Sequence, residues 1–336
     1  MTDITVEESK GLTCGIALCT YNGERYLRAQ LDSILTQSRR PDQVVVCDDG
    51  STDGTWEMLQ QWQAHSGLEI VLHRNEQRQK VTANFAQAVS RLDTDLIFLC
   101  DQDDVWLPDK VARMQQVFEN DASVLLVHSD AELIDGKGRS LGTTLLEELK
   151  VDAFERAAIR HGRAFEVLVR RNVITGATAV IRRSLLKQAL PIPRSFFHDE
   201  WLGFVACLSG KVVLLDETTI QYRQHGNNFV GVRRLPWKTV LRQYWWQINK
   251  ADSREDVRRT LMMREALFER YRQRAVPRAD QLPALQEAVA FARFRCNPPS
   301  RGMDRAALAV RHLVSGKYRR SSPLPLLEFT RDVINR

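Results

Sequence analysis

The 336-residue sequence has no apolar run of about 18 residues, no Cys-x-x-Cys pair and no apolar stretch near its start. We therefore expect no membrane-spanning helix, no disulfide frame and no secretory leader. The six cysteines are single, and four of them lie in apolar runs, which favours a reducing compartment such as the cytoplasm. With 43% hydrophobic and 27% charged residues, the composition excludes a collagen, a disordered tail protein and a disulfide miniprotein.

Two glycine-rich phosphate-binding loops are also absent. No Gly-x-Gly-x-x-Gly turn follows the first apolar run, where residues 20–23 read Thr-Tyr-Asn-Gly instead, so a dinucleotide dehydrogenase is disfavoured. No Gly-x-x-x-x-Gly-Lys-Ser/Thr is present, which excludes a P-loop kinase or ATPase.

Charge is unevenly distributed behind a net value of +6. Residues 233–336 hold 23 Lys/Arg and 10 Asp/Glu, whereas residues 1–230 hold 25 Lys/Arg and 32 Asp/Glu. A body of charge −7 is therefore followed by a basic C-terminal third of charge +13. This asymmetry indicates contact of the basic part with a polyanion or an anionic membrane, although a solvated set of Arg-rich helices gives the same pattern.

Four short apolar runs rich in Val, Ile and Leu recur in the first hundred residues. They are residues 15–19, 44–47, 68–72 and 96–100. Segments of helical period separate them, as where Phe85, Ala88 and Val89 fall at i, i+3 and i+4. Apolar runs without alternation are typical of strands buried on both faces. The pattern predicts an α/β fold with a parallel, doubly wound sheet.

Every predicted strand ends in a cluster of polar residues. The clusters are residues 20–23, 48–51, 73–76 and 101–104. In open α/β sheets, ligands bind outside the carboxyl ends of the strands. The four clusters are therefore expected to meet in one crevice lined with carboxylates.

Residues 101–104, Asp-Gln-Asp-Asp, carry the strongest chemical signal. Three carboxylates within four residues repel one another, and a divalent cation relieves that repulsion. Asp101 and Asp103 are two positions apart on an extended chain, so both can point into the crevice. Hard oxygen ligands suit Mg²⁺ or Mn²⁺. The alternative is a solvated acidic loop, but the buried strand that precedes these residues favours the metal site.

Residues 48–54, Asp-Asp-Gly-Ser-Thr-Asp-Gly, form the second signal. A carboxylate at a strand end can accept hydrogen bonds from a ribose hydroxyl or a base N–H. Asp48 is the expected ligand, while Ser51 or Thr52 can serve as the N-cap of the next helix.

These motifs together resemble those of family 2 glycosyltransferases, and in particular rhamnosyltransferase-like bacterial members. The resemblance rests on residues 17–23, 45–55, 101–106, 198–201 and 222–228, and it covers about residues 12–230 in consistent order. It implies a GT-A fold, in which a Rossmann-like, mostly parallel sheet is flanked by helices. It also implies the following organisation: a catalytic domain over 1–230, with a donor half at about 12–120 and an acceptor half at about 121–230, and a basic helical extension over 231–336.

The resemblance further implies a donor sugar linked to a nucleoside diphosphate, either L-rhamnose on dTDP or a UDP-hexose. Asp48 would accept from the base N–H and Asp101 would bond the ribose. Asp103, with His225, would hold the Mg²⁺ or Mn²⁺ that bridges the phosphates, unless His225 is a structural histidine. The implied donor-binding residues are Thr20, Tyr21, Asn22, Glu24, Asp48, Lys80, Asn84, Asp101 and Gln102.

Replacing a diphosphate at an anomeric carbon needs stabilisation of the leaving group and a base for the acceptor hydroxyl. Asp199 is the candidate base, because it opens a predicted helix and matches the acidic residue of the family's Glu-Asp motif, with His198 in the Glu position. The alternatives are Glu200 as base and Asp199 as an ordinary N-cap. Gly176, Glu200 and Trp201 are expected to contact the acceptor, a saccharide or lipid-linked glycan of bacterial surface polysaccharide or lipopolysaccharide.

The basic C-terminal third contains an apolar stripe at helical spacing. Its members are Trp237, Val240, Leu241, Tyr244, Trp245 and Ile248, flanked by Lys238, Arg242 and Lys250. A basic, Trp-rich helix can lie on an anionic membrane, here the inner face of the plasma membrane, or it can pack on the body. Residues 306–314, followed by Lys317 and two arginines, repeat the pattern.

Two other protein classes compete with this interpretation. A sugar nucleotidyltransferase would need a Gly-rich, Lys/Arg-bearing loop after the first strand, and that loop is absent. A nucleic-acid-binding protein would use the basic third, but the acidic crevice opposes it and no helix-turn-helix or zinc-finger spacing occurs. No nucleic-acid partner is therefore expected.

Overall fold

A computed structural model describes residues 11–225, 252–272, 278–318 and 325–334, and nine strands of this part form one mixed sheet. The strands are β1 (Cys14–Thr20), β2 (Gln43–Asp48), β3 (Ile70–Arg74), β4 (Leu96–Asp101), β5 (Val105–Trp106), β6 (Val124–Asp135), β7 (Ser140–Thr144), β8 (Ala179–Arg182) and β9 (Lys211–Gln224). Their order across the sheet is β3–β2–β1–β4–β8–β6–β9–β5, and β7 pairs with β6.

Helices cover both faces of the sheet. They are α1 (Glu24–Leu35), α2 (Thr55–His65), α3 (Lys80–Ser90), α4 (Lys110–Asn120), α5 (Leu145–Glu148), α6 (Ala153–Arg160), α7 (Ala164–Leu168), α8 (Leu186–Ala189), α9 (His198–Ser209), α10 (Asp252–Arg272), α11 (Leu282–Cys296), α12 (Gly302–Val314) and α13 (Pro325–Ile334). Short 3₁₀ turns lie at Gly176–Thr178, Arg183–Leu185 and Ala279–Gln281.

The first four strands are parallel, as their apolar runs and intervening helical patterns predict. β1 pairs with β2 on one side and with β4 on the other. In this register Thr20 lies opposite Asp48, and Cys19 lies opposite Asp101. The carboxyl ends of β2 and β4 therefore bring their acidic residues to either side of the end of β1.

The second half of the sheet departs from the predicted parallel arrangement. β8 runs antiparallel between β4 and β6, and β5 is antiparallel to β9, whereas β6 and β9 are parallel. β8 begins directly after the Gly176–Thr178 turn, beside the end of β4 and opposite the middle of β6. Because the chain enters β8 from the crevice, it must run against its neighbours. The sheet is therefore mixed.

The core consists of two apolar layers separated by the sheet. Alternate residues of β1 serve different layers: Ile16 and Leu18 pack with α1 and α4, whereas Ala17 and Cys19 pack with α3 and α9. This explains why the strand sequence shows no alternation of apolar and polar residues, since both of its faces are buried.

The described C-terminal helices pack on the body. Met263, Leu267 and Tyr271 of α10 join the core layer that contains α9, and the Tyr271 hydroxyl donates to the Val205 carbonyl at 3.1 Å. The predicted stripe over residues 237–248 lies outside the described residues. Within the described part of the chain, every helix is too short or too polar to span a bilayer.

Candidate active site

The carboxylates that follow β4 lie near the middle of the sheet, between the ends of β1 and β8. Burial, then the charges of Asp103 and Asp199, raise the pKa of Asp101 to about 7. Asp104 is 1% exposed, and this burial raises its pKa well above the usual range. Its Oδ2 accepts no hydrogen bond within the described residues. Burial and mutual repulsion thus disfavour the ionised forms of Asp101 and Asp104, and a bound cation would favour them.

Asp103 and His225 form a pair suited to a divalent ion. The Asp103 Oδ2 lies 2.7 Å from His225 Nε2, and the imidazole stacks on Tyr26 with ring centroids 4.8 Å apart. Carboxylate oxygen and imidazole nitrogen both suit Mn²⁺, and the remaining positions would go to diphosphate oxygens and water. Within the described residues no three His, Cys, Asp or Glu side chains cluster as a metal cage. The residues thus fit an ion held by two side chains and its substrate.

Tyr21 follows β1, and the Gln102 side chain bonds both its backbone N–H and its backbone carbonyl. The Gln102 Oε1 accepts from Tyr21 N at 2.8 Å, and the Gln102 Nε2 donates to Tyr21 O at 3.0 Å. Gly23 leaves room for this clamp, because a Cβ at that position would lie 2.2 Å from the Gln102 Oε1. The Arg78 guanidinium lies 3.9 Å from the Tyr21 ring centroid. Tyr21 is therefore a half-exposed ring with a fixed position beside the carboxylates.

Thr20 and Asp48, both expected to bind the donor, contact each other inside the protein. Asp48 is 0% exposed, and its carboxylate accepts from Thr20 Oγ1 at 2.8 Å and from Ser51 N at 2.9 Å. The Ser51 hydroxyl donates to it as well. Asp48 is thus enclosed by its own turn, and neither it nor Thr20, which is 2% exposed, presents a polar atom to the crevice. In these contacts the carboxylate shapes the turn, and its role as a base ligand stays a prediction.

Asp49 is a site residue that the sequence analysis missed. Its carboxylate accepts from Asn75 Nδ2 at 2.9 Å, from Gln79 N at 2.6 Å and from Lys80 N at 2.9 Å. These bonds hold Lys80, whose φ of 66° is unusual for a side-chain-bearing residue, at the start of α3 with its side chain exposed. The signal that could have revealed Asp49 is the pair of adjacent acids, Asp48 and Asp49. Neighbouring residues in a buried turn point in different directions, so the two carboxylates must have different surroundings.

Asn84, expected to bind donor, lies inside the protein. It is 2% exposed, its Nδ2 donates to the Cys47 carbonyl at 2.7 Å, and its Oδ1 accepts from Asn75 Nδ2 at 2.9 Å. Asn84 therefore supports the loop that carries Lys80, and its direct contact with the donor stays a prediction.

Asn22 and Glu24 join the turn after β1 to the turn after β2. The Asn22 Oδ1 accepts from Thr52 N at 2.8 Å, and the Glu24 Oε2 accepts from Gly54 N at 3.0 Å. Both side chains are exposed. They lie at the carboxyl ends of the parallel strands, as predicted, and these two hydrogen bonds keep the two turns together.

Asp199 lies in the first turn of α9 and is half-exposed. Its Oδ2 accepts from Gly176 N at 3.0 Å, and its Oδ1 accepts from Glu200 N at 2.7 Å. A Cβ on Gly176 would lie 2.8 Å from His198 Nε2, so the absence of a side chain here leaves room for the His198 ring. His198 itself is 5% exposed and stacks on Phe85 at 3.9 Å. Gly176 thus positions the Asp199 carboxylate through its backbone.

The other two residues expected to contact the acceptor differ in placement. Glu200 is half-buried, and burial raises its pKa although the Arg259 guanidinium lies 3.5 Å away. Trp201 is 0% exposed, its Nε1 donates to the Ala189 carbonyl at 2.8 Å, and its ring stacks on Phe196. Trp201 thus points into the core, because consecutive residues of a helix point in different directions, and its contact with the acceptor stays a prediction without a geometric observation to support it.

Lys110 connects the two sides of the crevice from below. It is 0% exposed, and its Nζ donates to the Ala177 carbonyl at 2.8 Å beneath the Gly176 turn. The Nζ also lies 4.6 Å from the Trp106 ring centroid. Burial lowers the pKa of Lys110 to about 7, while the nearby Asp104 and Asp101 charges oppose that shift. The sequence analysis missed this residue.

The family model described as "Glycosyl transferase family 2" matches residues 16–190, which is more than half of the chain. The chain belongs to glycosyl transferase family 2. The match includes the ends of β1, β2 and β4 and the Gly176 turn, and it stops before Asp199 and His225. The family membership predicted from the motifs is confirmed.

Several relatives of this family 2 chain carry glycosyltransferase names. An uncharacterized glycosyltransferase of Nostoc is 26% identical over 220 residues, 63% of this chain and 65% of that protein. A dTDP-rhamnosyl transferase of Shigella flexneri is 26% identical over 220 residues, 64% of this chain and 73% of that protein. An abequosyltransferase of Salmonella typhimurium is 31% identical over 115 residues, 33% and 34% of the two chains. The chain thus spans less than two thirds of the Nostoc protein's length.

Two solved structures share the fold of this family 2 member. Staphylococcus aureus TarS in complex with UDP-GlcNAc has a TM-score of 0.59 at 13% identity, covering 96% of this chain and 88% of that one. The mannosyltransferase PcManGT of Pyrobaculum calidifontis, in complex with GDP-Man and Mn²⁺, has a TM-score of 0.54 at 16% identity, covering 97% and 88%. Likeness at this level concerns the fold alone, and the predicted GT-A fold is confirmed.

Proposed function

We propose that this family 2 glycosyltransferase moves a sugar, with inversion, from a nucleoside diphosphate to a hydroxyl of a saccharide acceptor. The observation that carries the proposal is the meeting of two sets of carboxylates in one crevice. Asp101 and Asp103 come from the end of β4, and Asp199 comes from the start of α9. Their charges interact, since Asp199 contributes to the raised pKa of Asp101. One set suits a donor diphosphate with its cation, and the other suits an acceptor hydroxyl.

On the donor side, the clamped ring of Tyr21 offers the base a flat surface. Asp101 accepts from the ribose hydroxyls. Lys80, exposed at the start of α3, reaches the phosphates, where the N-terminal end of the helix also favours negative charge. The buried carboxylates of Asp48 and Asp49 keep this surface in shape through their turns.

The cation site consists of Asp103 and His225, which would hold Mg²⁺ or Mn²⁺. When bound, such an ion neutralises the charge that builds up on the departing diphosphate. Tyr26 supports the imidazole by stacking, and the Arg223 Nε donates to the Asp103 carbonyl at 2.7 Å, so both ligands have fixed positions.

On the acceptor side, Asp199 is the base. Its carboxylate takes the proton of the acceptor hydroxyl as the oxygen attacks the anomeric carbon, opposite the diphosphate. The Gly176 and Glu200 N–H groups hold the two carboxylate oxygens in place, and each oxygen keeps a further lone pair for the hydroxyl proton. A single displacement with one base and no protein nucleophile inverts the anomeric centre.

The donor and acceptor follow from the relatives as candidates. dTDP-rhamnose is the first donor to test, because a dTDP-rhamnosyl transferase is similar to this chain over most of its catalytic region. A UDP-hexose is the second, as a fold relative binds UDP-GlcNAc. We propose as acceptor a saccharide or lipid-linked glycan of bacterial surface polysaccharide or lipopolysaccharide. The enzyme would work in the cytoplasm, with residues 1–230 as catalytic domain and the basic helices of 231–336 contacting the membrane.

The test is a thermal-unfolding screen of the full chain with dTDP-rhamnose, UDP-glucose, UDP-GlcNAc and GDP-mannose, each with Mn²⁺, with Mg²⁺ and with EDTA. A ligand at 100 times its dissociation constant adds about 2.7 kcal/mol of stability. We expect one nucleotide class to stabilise the protein, and to do so more strongly with the cation than with EDTA.

The matched control is Asp93→Asn, which removes an exposed carboxylate before β4, 83% accessible and far along the strand from the crevice. It should keep the cation effect that Asp103→Asn loses. Failure of every nucleotide sugar, with and without cation, would refute the proposed function.

A further inference from the structure

The outer face of α12 carries a continuous apolar stripe. Met303, Val310 and Val314 are 87%, 47% and 83% exposed, and the exposed Ala307 lies between them. At about 100° per residue, these four positions fall within an arc of about 60° on the helix surface. The stripe is therefore one surface rather than scattered apolar side chains.

The opposite face of α12 makes the contacts with the protein. Ala309 is 0% exposed, and the His312 ring lies 5.4 Å from the Phe291 ring and 4.7 Å from the Phe294 ring of α11. The helix is thus anchored by one face, and the stripe points away from that anchor. No residue in the described part of the chain buries the stripe.

An exposed helix normally turns polar residues outward, and a contiguous apolar face marks an interaction surface. The charge around this one indicates the partner. Arg301 and Arg311 are exposed beside the stripe, against one exposed acid, Asp304. Lys317, Arg319 and Arg320 follow in sequence, within a third of the chain that carries +13. Apolar residues flanked by basic ones suit anionic lipid, which offers hydrocarbon below and negative charge at its surface.

We propose that α12 docks on an anionic membrane through Met303, Ala307, Val310 and Val314, which enter the boundary between head groups and acyl chains. Membrane docking rests on the proposed function for its biological purpose alone: it would bring the enzyme to the surface where a lipid-linked acceptor lies. The arginines beside the stripe would lie at the level of the head groups.

The experiment is co-sedimentation of the full chain with vesicles of phosphatidylglycerol and phosphatidylcholine in equal parts, and with vesicles of phosphatidylcholine alone. We expect binding to the anionic vesicles that weakens as salt is raised. The triple variant Met303→Gln/Val310→Gln/Val314→Gln should lower the partition coefficient by at least about tenfold, because three apolar side chains no longer leave water.

The matched control is Phe154→Gln on α6, which removes an apolar side chain that is 53% exposed on the catalytic body. It should bind anionic vesicles like the wild type. Light scattering of wild type and triple variant in solution tests the alternative occupant, a second copy of the chain.

Three results would overturn the proposal: no binding of the wild type to anionic vesicles, equal binding by the triple variant, or a stripe-dependent dimer that does not bind vesicles. Nucleotide-sugar stabilisation is measured in parallel on the same variants. Its persistence in the triple variant separates a failure of membrane docking from a failure of the glycosyltransferase function.

Discussion

The acidic ends of β2 and β4 flank β1 and look alike in sequence, but the protein treats their carboxylates in opposite ways. Asp48 and Asp49 are saturated by donors of the chain itself, from Thr20 and the Ser51 amide to the amides of the loop before α3. The Asp101 carboxylate accepts no hydrogen bond from a described residue, and Asp104 leaves one oxygen unpaired.

The two pairs of carboxylates therefore differ in how many hydrogen bonds the chain itself supplies. A buried acid whose lone pairs are occupied by backbone and hydroxyl donors shapes a turn and needs no ligand. Acids that are buried together and left without donors destabilise the empty crevice, and an external cation relieves that cost. The number of internal donors, rather than the presence of acids at a strand end, therefore distinguishes the two acidic strand ends.

The largest expected effect is that of Asp199→Asn. The Asp199 carboxylate differs from both pairs, since it is half-exposed and accepts hydrogen bonds from two backbone N–H groups. The amide cannot take the acceptor proton, so kcat should fall by about 10²–10⁴-fold. Donor affinity, measured by calorimetry, should stay within about twofold. Normal turnover would remove Asp199 from the mechanism, and a matching loss in Glu200→Gln alone would move the base to that residue.

The next effect is that of Asp103→Asn, which removes a charge from the cluster after β4. We expect activity to fall by about 10²-fold or more, because the diphosphate loses its cation. The free energy of unfolding without metal should stay the same or rise, since repulsion with Asp101 and Asp104 is relieved. EDTA should reduce the wild type to the level of the variant. A clear loss of stability in the metal-free variant would contradict the statement that Asp103 repels Asp101 and Asp104.

Asp48→Asn tests the other side of the comparison. Its replacement leaves one of the internal donors facing an amide N–H₂, so the free energy of unfolding should fall by about 2–4 kcal/mol, as measured by urea denaturation. If the variant is instead as stable as the wild type and loses only donor affinity, Asp48 is a base ligand, as its sequence motif suggests.

The smallest effect is expected for Lys110→Met, which keeps the length of the side chain and removes its bond to the Ala177 carbonyl. The turn that carries Gly176 should then hold Asp199 less firmly, so kcat should fall by about tenfold with donor affinity unchanged. The free energy of unfolding should change by about 1–3 kcal/mol. Equal losses in kcat and in donor affinity would mean general damage to the crevice rather than loss of positioning.

The sequence predicted the donor half of the fold well, because each strand of β1–β4 is a separate apolar run that ends in a polar cluster. It also predicted the start of α9, which depends on local signals. The antiparallel course of β8 could not be read, since a four-residue strand carries no mark of its direction.

The roles of individual side chains were harder to predict than the elements that carry them. Trp201 and Asn84 belong to motifs beside the crevice, but their side chains point into the core. Asp48 and Asp49 differ only in which donors surround them, and those donors come from residues 20, 51, 75, 79 and 80. Such neighbourhoods are set by tertiary packing and not by the motif.

The bond between Asp103 and His225 joins positions 122 residues apart, and the Arg223 amide bonds Asp104 across 119. During synthesis, the turns that hold Asp48 and Asp49 can close once about eighty residues have left the ribosome, whereas the cation pair must wait for the end of β9. Contacts of such long range also form slowly. The loops around Asp48 and Asp49 can therefore form before the contact between Asp103 and His225, and a nascent chain shorter than 225 residues lacks one partner of that contact.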